Sequence, residues 1–172
     1  MKPELDEALC RDFPILYQDR TGDPTKTCMR MGFACGDGWE PIIRELSEHL
    51  EKTSVKYNIK IKAVQIKEKF GYMRFYYRIE GKLPSLLPYR LVEWIRRPIC
   101  KLVRATLPLH WVSYVNEFAH FMQCPLSHKI SNMVHNTEYK TARTCEACGA
   151  PARISGNGWY SCLCNKCRED CK

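Results

Sequence analysis

Between residues 40 and 52 the apolar side chains recur at helical spacing. Ile42, Ile43, Leu46 and Leu50 fall on one stripe, while Glu40–Arg44 and Glu48–Lys52 form four-residue charge pairs on the other side. Pro41 suits a first-turn position, where its missing N–H is not needed. The pattern predicts an amphipathic helix from about Glu40 to Lys52, with Trp39 packed at its entry. Upstream, Leu5, Leu9 and Phe13 predict a short helix ended by Pro14, and Thr21-Gly22-Asp23-Pro24 reads as a turn.

From Asn58 to Gly81 the period changes to two. Ile59 and Ile61 alternate with Lys60 and Lys62; the alternation then shifts at Ala63, so that Val64 and Ile66 take the opposite parity. A one-residue shift of this kind predicts a β-bulge. The second strand is regular: Met73, Phe75, Tyr77 and Ile79 line one face, and Tyr72, Arg74, Tyr76 and Arg78 the other. Lys67 to Gly71 is read as the connection. Two strands alone are marginal in water, so the preceding helix is expected to lie across their apolar face.

Residues 82–125 differ in kind. Pro84, Pro88, Pro98, Pro108 and Pro125 punctuate a run of large apolar groups. Leu91, Trp94, Ile95, Pro98, Ile99, Leu102 and Val103 form one helical stripe, and Arg90, Arg96, Arg97, Lys101 and Arg104 occupy the rest. A kink or break is expected at Pro98. Leu109 to Gln123 is apolar nearly all round, which predicts a helix either enclosed or part of an interface. A third helix, about Ser127 to Thr141, carries Ile130, Met133, Val134 and Thr137 in register and feeds into Cys145. The chain therefore reads as α+β: an amphipathic helix packed on a β-hairpin in 1–81, a helical insertion in 82–125, and a helix with a C-terminal ribbon in 126–172.

The cysteines change the picture most. Of eleven, Cys145 and Cys148 form one Cys-x-x-Cys pair and Cys164 and Cys167 another, fifteen residues apart. That is the spacing of a four-thiolate structural zinc site, and Gly156-Asn157-Gly158 between the pairs suits a hairpin turn. The predicted module is knuckle, hairpin, knuckle: a zinc ribbon. Cys162 and Cys171 crowd the site, and Cys162 is the possible substitute ligand; Cys164 is preferred because it restores the two-residue spacing with Cys167. Four sulfur ligands leave no open position, so such a zinc folds the chain and does not catalyse. Cys28, Cys35, Cys124 and His128 offer a conceivable second set, against the simpler reading that buried free cysteines act as small hydrophobes. Asp37, His49, His110, His120 and His135 sit in no recognisable catalytic pattern, Asp37 being read as a turn or helix-cap residue; a non-enzymatic protein is expected.

Composition sets the remaining bounds. With 45% hydrophobic and 27% charged residues, the 172-residue chain reads as globular. The N-terminus lacks the pattern of a signal peptide, and the most apolar stretch, 99–124, is interrupted by Lys101, Arg104, Pro108 and Glu117. A cytoplasmic setting with reduced cysteines is the expectation. The net charge of +8 is unevenly placed. Residues 1–54 carry seven Lys/Arg against eleven Asp/Glu, residues 55–82 eight against two, and residues 83–143 eight against three. A positive middle favours an anionic partner, nucleic acid before membrane, with a solvated basic surface as the alternative. On the strand face, Tyr72, Arg74, Tyr76 and Arg78, joined by Lys60 and Lys62, interleave stacking rings with cations. The opposing reading has this face covered by the 82–125 helices, its Tyr and Arg packed intramolecularly. The basic helix around Arg96, Arg97, Lys101 and Arg104 is suited to phosphates, or to a membrane surface, against which Pro98 counts.

Three blocks taken together, Gly32-Phe33-Ala34-Cys35-Gly36-Asp37-Gly38-Trp39, the run from Val64 to Tyr76, and Thr144-Cys145-Glu146-Ala147-Cys148-Gly149, resemble small uncharacterised proteins often encoded by bacteriophages and prophages. The resemblance covers roughly residues 28–80 and 128–168, with 82–125 as an insertion, and implies a bacterial cytoplasm as the setting. It carries no particular activity. The expectation is a structural zinc protein that binds nucleic acid through its basic, aromatic middle. The alternative is a phage-type factor that binds and inhibits or redirects a host protein, which requires an exposed apolar patch.

Overall fold

A computed structural model of the chain describes residues 1–25, 27–84, 88–108 and 110–170. In chain order its elements are α1 (Pro3–Asp12), β1 (Phe33–Ala34), α2 (Glu40–Tyr57), β2 (Lys60–Lys69), β3 (Tyr72–Glu80), α3 (Tyr89–Thr106), α4 (His110–Gln123), α5 (Pro125–Thr141), β4 (Arg153–Ser155), β5 (Ser161–Leu163) and α6 (Asn165–Asp170), joined by short 3₁₀ turns. The fold is mixed α+β. It divides into two bodies, one of Met1–Gly81 with Met133–Lys172 and one of Lys82–Asn132, the boundary falling within α5.

In the first body α2 buries Ile43, Leu46 and Leu50, as its stripe predicts, and packs on β2. It runs more than a turn beyond the predicted Lys52, because its inward line continues through a polar residue. Ser54 is buried, and its Oγ accepts the Ile61 N–H at 3.2 Å. Asn58, left-handed at φ 49°, ends the helix. Ser47 is likewise buried and satisfied, donating to the Ile43 carbonyl at 2.7 Å and sharing a hydrogen bond with the Tyr17 hydroxyl. A periodicity that counts only apolar residues cannot see either serine.

β2 and β3 pair antiparallel, with the bulge where the alternation shifts. Ala63 faces Tyr77 and Gln65 faces Tyr76, so Val64 is the extra residue. The bulge returns Ile66 to the face that already holds Ile61 and Ala63, and all three are fully buried. β1 adds a third strand, parallel to β2, with Phe33 beside Ile66; two residues are too short to show a period, and the sequence pattern missed it. The hairpin loop is Phe70-Gly71 alone, because β2 continues through Lys69 and Glu68 Oε1 accepts the Gly71 N–H at 2.6 Å. Both loop residues have positive φ, 57° and 84°, as a type I′ turn requires.

The outer edge of β3 is covered by side chains of α5. Thr141 Oγ1 accepts the Met73 N–H at 3.0 Å and Glu138 Oε1 accepts the Phe75 N–H at 2.9 Å. Two main-chain donors of an edge strand are thus satisfied without another strand.

The second body is built on α3 and α4, packed together as a helical hairpin and followed by the start of α5. Helix α3 continues through Pro98 rather than breaking there. The residue lies on an exposed stretch, where the Trp94 carbonyl that loses its helical donor can be hydrated. Among the described residues no helix is long and apolar enough to cross a membrane.

Phe70 is 60% exposed and holds a left-handed conformation that favours Gly or Asn. Phe70→Asn is expected to stabilise the protein by about 0.5–1 kcal/mol by removing backbone strain. The readout is a higher denaturant midpoint with an unchanged slope.

Candidate metal centre

The four predicted ligands come together. The Sγ atoms of Cys145, Cys148, Cys164 and Cys167 all lie within 4.8 Å of one another, and Cys148 and Cys164 are 3.6 Å apart. That separation is far beyond the roughly 2.05 Å of a disulfide. The first pair sits on a tight turn closed by the Gly149 N–H on the Cys145 carbonyl at 2.9 Å, with Gly149 at φ 78°. The second spans the end of β5 and the first turn of α6, where the Cys167 N–H approaches Cys164 Sγ at 3.5 Å. The three-residue strands β4 and β5 bring the two pairs together.

The electrostatics of the cluster fit a cation. Burial disfavours the Cys145 thiolate, yet the backbone N–H groups of Cys164, Cys148 and Ala147 outweigh it and hold the thiol down to about 6. Cys167 is driven the other way by its sulfur neighbours, Cys148 first and then Cys164. Four sulfurs this close cannot all lose their protons unless a positive ion compensates them. The residues present therefore suit a thiophilic metal ion in four-coordinate geometry. Cys162 is not part of this group: it is fully buried across from Ile154, burial raises its thiol, and its carbonyl accepts the Glu146 N–H at 2.8 Å. Cys171 lies outside the described residues.

What holds the knuckle in place was not anticipated. The Gly36-Asp37-Gly38-Trp39 segment, more than a hundred residues earlier, lies directly against it. The Gly38 N–H donates to the Glu146 carbonyl at 2.7 Å, the Gly36 N–H to Glu146 Oε1 at 2.8 Å, and Trp39 Nε1–H to the Thr144 carbonyl at 2.8 Å. Neither Gly36 nor Gly38 has a positive φ. Their requirement is space. A Cβ on Gly38 would overlap the Cys145 carbonyl oxygen and the Gly149 nitrogen and reach within 2.7 Å of the Cys148 nitrogen; one on Gly36 would come within 2.7 Å of Glu146 Cγ. Burial chiefly raises the Glu146 carboxyl above its ordinary value, against the Gly36 N–H. Asp37 is not a helix cap: its Oδ1 accepts the Lys2 N–H at 2.7 Å, tying the N-terminal segment to the same corner.

The other candidate residues form no second cluster among the described residues. Cys28 and Cys35 belong to the first body, Cys124 and His128 to the second. Cys35 is buried and its thiol is pushed up to about 12 by that burial, as a core residue, while His128 Nδ1 engages Asn132. His49 is exposed on α2, and His110 lies against Trp111 and Tyr114; the His120 side chain is outside those described.

On the β2–β3 hairpin, Lys62, Arg74 and Arg78 are neutralised within the first body. Arg78 pairs with Asp19 at 2.6 Å and Glu80 at 3.2 Å, and Lys62 with Glu80 at 2.7 Å. Arg74 lies over the Tyr72 ring, 4.3 Å from its centre, with Glu138 at 3.5 Å. The partners Asp19 and Glu138 come from outside 82–125. Tyr72 and Arg74 join His135, Glu138, Tyr139, Ala142 and Ile154 around a cavity of about 420 Å³. Tyr76 is exposed and is not part of it; Lys60 is exposed on β2. In the second body Arg96 is held by Glu93 at 2.7 Å and by Asn116 at 2.9 Å, whereas Arg97 is exposed with Glu93 at 3.5 Å, and Lys101 and Arg104 are exposed without an ion-pair partner among the described residues.

Gly38→Ala is expected to undock the knuckle and cost more than about 3 kcal/mol, since all three obstructing atoms are backbone. Gly158→Ala, at φ 88° with open space around it, should cost only about 1 kcal/mol. Equal losses in chemical denaturation would show that close approach is not what selects Gly38. Comparison of the chain with family models, with curated proteins and with solved structures finds no match.

Proposed function

We propose that the protein is a non-enzymatic, zinc-stabilised binding protein, and that its first body binds single-stranded nucleic acid. A zinc–thiolate tetrahedron with bonds of about 2.3 Å has sulfur–sulfur edges of about 3.8 Å, close to the 3.6 Å between Cys148 and Cys164. With all four positions taken by sulfur, the ion organises the chain and presents no site for substrate. One zinc per chain is expected by elemental analysis, with protons released on loading. Chelation or Cys148→Ser should unfold the ribbon; amide NMR signals of Cys145–Gly149 and Ser161–Asp170 that stay dispersed without metal would refute this.

The cavity beside β3 carries the nucleic-acid reading. Three rings (Tyr72, His135 and Tyr139) and one guanidinium converge there, and its volume of about 420 Å³ suits a small planar group. His135 and Tyr139 stand edge to face, centroids 5.7 Å apart, and Arg74 is held in place by Tyr72 and Glu138. An unpaired base stacks against such rings while a neighbouring cation meets its phosphate. Tyr139 is exposed and replaceable without disturbing the core. In fluorescence anisotropy, single-stranded oligonucleotides should bind more weakly as salt is added. Tyr139→Ala should cost about 1–3 kcal/mol, the worth of one stacked base. No binding to DNA or RNA strands at low salt sinks the reading.

A further inference from the structure

The second body poses a separate problem. A hairpin of two helices has one internal interface and cannot bury two apolar faces. Val92, Cys100, Val112 and Ala119 are buried, and Arg96 and Cys100 meet Asn116 across the hairpin. Much of the apolar surface lies outside this seam. On α3 Trp94 is 75% and Leu102 64% exposed, with Leu91, Ile95 and Ile99 also exposed; on α4 Trp111, Tyr114, Phe118 and Phe121 form an exposed row at spacings of three and four residues. Ile95, Ile99 and Phe118 line one apolar cavity of about 160 Å³, which places the two exposed sets on the same side of the hairpin.

Charge decides what fits this face. Helical periodicity puts Arg90, Arg97, Lys101 and Arg104 in one row along α3, on the flank of the Leu91–Trp94–Leu102 strip away from α4. All four are exposed, and within 82–132 only Glu93 and Glu117 oppose seven Lys/Arg. Glu93 is taken by Arg96 and Arg97. A nucleic acid would satisfy the cations and leave the Leu, Ile and Phe side chains wet. An apolar protein groove would bury those side chains and leave the cations unmatched. An anionic bilayer surface takes both, with tryptophan and tyrosine at the boundary. The helices are too short and too charged to cross, and α3 is continuous through Pro98, so a single amphipathic surface lies along the interface.

We propose that the Lys82–Asn132 body docks on anionic phospholipid membranes, with Trp94, Leu102 and Phe118 entering the acyl boundary and Arg97, Lys101 and Arg104 meeting lipid phosphates. The test uses the full-length, zinc-loaded chain, free of nucleic acid, and flotation with vesicles of phosphatidylcholine alone or mixed equally with phosphatidylglycerol. Binding is expected on the mixed vesicles, weakened by salt, and quenched tryptophan emission is expected when the acyl chains carry bromine. Trp94→Phe should keep the binding and lose part of the quenching. Trp94→Ser with Leu102→Ser should lower the partition coefficient about tenfold or more, and Arg97→Glu with Lys101→Glu should abolish the preference for phosphatidylglycerol. All four side chains are exposed, so unchanged circular dichroism verifies folding. The proposal is overturned by any of three results: no flotation at low salt, flotation indifferent to the Trp94/Leu102 pair, or a stable oligomer that hides Trp94 and does not bind vesicles. Oligonucleotide binding lost in the Arg97/Lys101 variant, with flotation unchanged, would assign the basic row to nucleic acid and overturn it equally.

Discussion

The first body depends on a contact between two pieces of backbone. The Cys145–Gly149 turn rests on Gly36-Asp37-Gly38, and three hydrogen bonds of 2.7 to 2.8 Å join residues 36–39 to residues 144–146. Neither partner stands alone. The ribbon strands are three residues each, too short to hold a hairpin in water. A bound ion would fix the turn from the sulfur side; from the other, Gly38 and Trp39 satisfy the carbonyls of Glu146 and Thr144, and Gly36 holds the Glu146 carboxylate. Because Trp39 is also the fully buried entry to α2, the geometry of the metal site is transmitted to the helix that covers the sheet.

The same logic explains how the first body closes around a segment of about fifty residues that forms a separate body. α5 delivers the chain to Cys145, and its last turns also cover the β3 edge through Glu138 and Thr141. Strand β3 before this segment and the end of α5 after it are hydrogen-bonded to each other, so the closure of the first body does not depend on what lies between. Lengthening a loop whose ends are already held adds little entropy cost. The intervening segment is released from the packing duties of the core and can carry exposed rings and cations.

Patterns that repeat were legible in the sequence. The α2 stripe, the β3 alternation, the bulge before Ile66 and the two Cys-x-x-Cys pairs each have a period or spacing with a physical cause, and each is found where it was read. What escaped were features without a period: β1, the inward serines of α2, and the docking of Gly36–Trp39 on the knuckle. The glycines were visible but their role was not: their φ values are ordinary, and the absent Cβ atoms make room for another backbone. Glu146 carried no signal, since an x position within a Cys pair is unconstrained by the metal. Only a structure shows that its carboxylate reaches Gly36.

Formal charge misled in a similar way. Residues 55–82 hold eight cations against two acids, which reads as a strongly positive region. Yet Lys62, Arg74 and Arg78 are paired with Glu80, Glu138 and Asp19, two of which lie outside that window. Within 82–132 the imbalance persists, because Glu93 is consumed by two arginines and Arg90, Lys101 and Arg104 are left without partners among the described residues. The two bodies therefore differ in the physics they present. The first offers a shaped cavity whose cation is already oriented by Tyr72 and Glu138, so a group held there would owe most of its binding free energy to stacking. The second offers an unneutralised field beside uncovered apolar surface, where long-range attraction and area burial act together and geometric precision matters least.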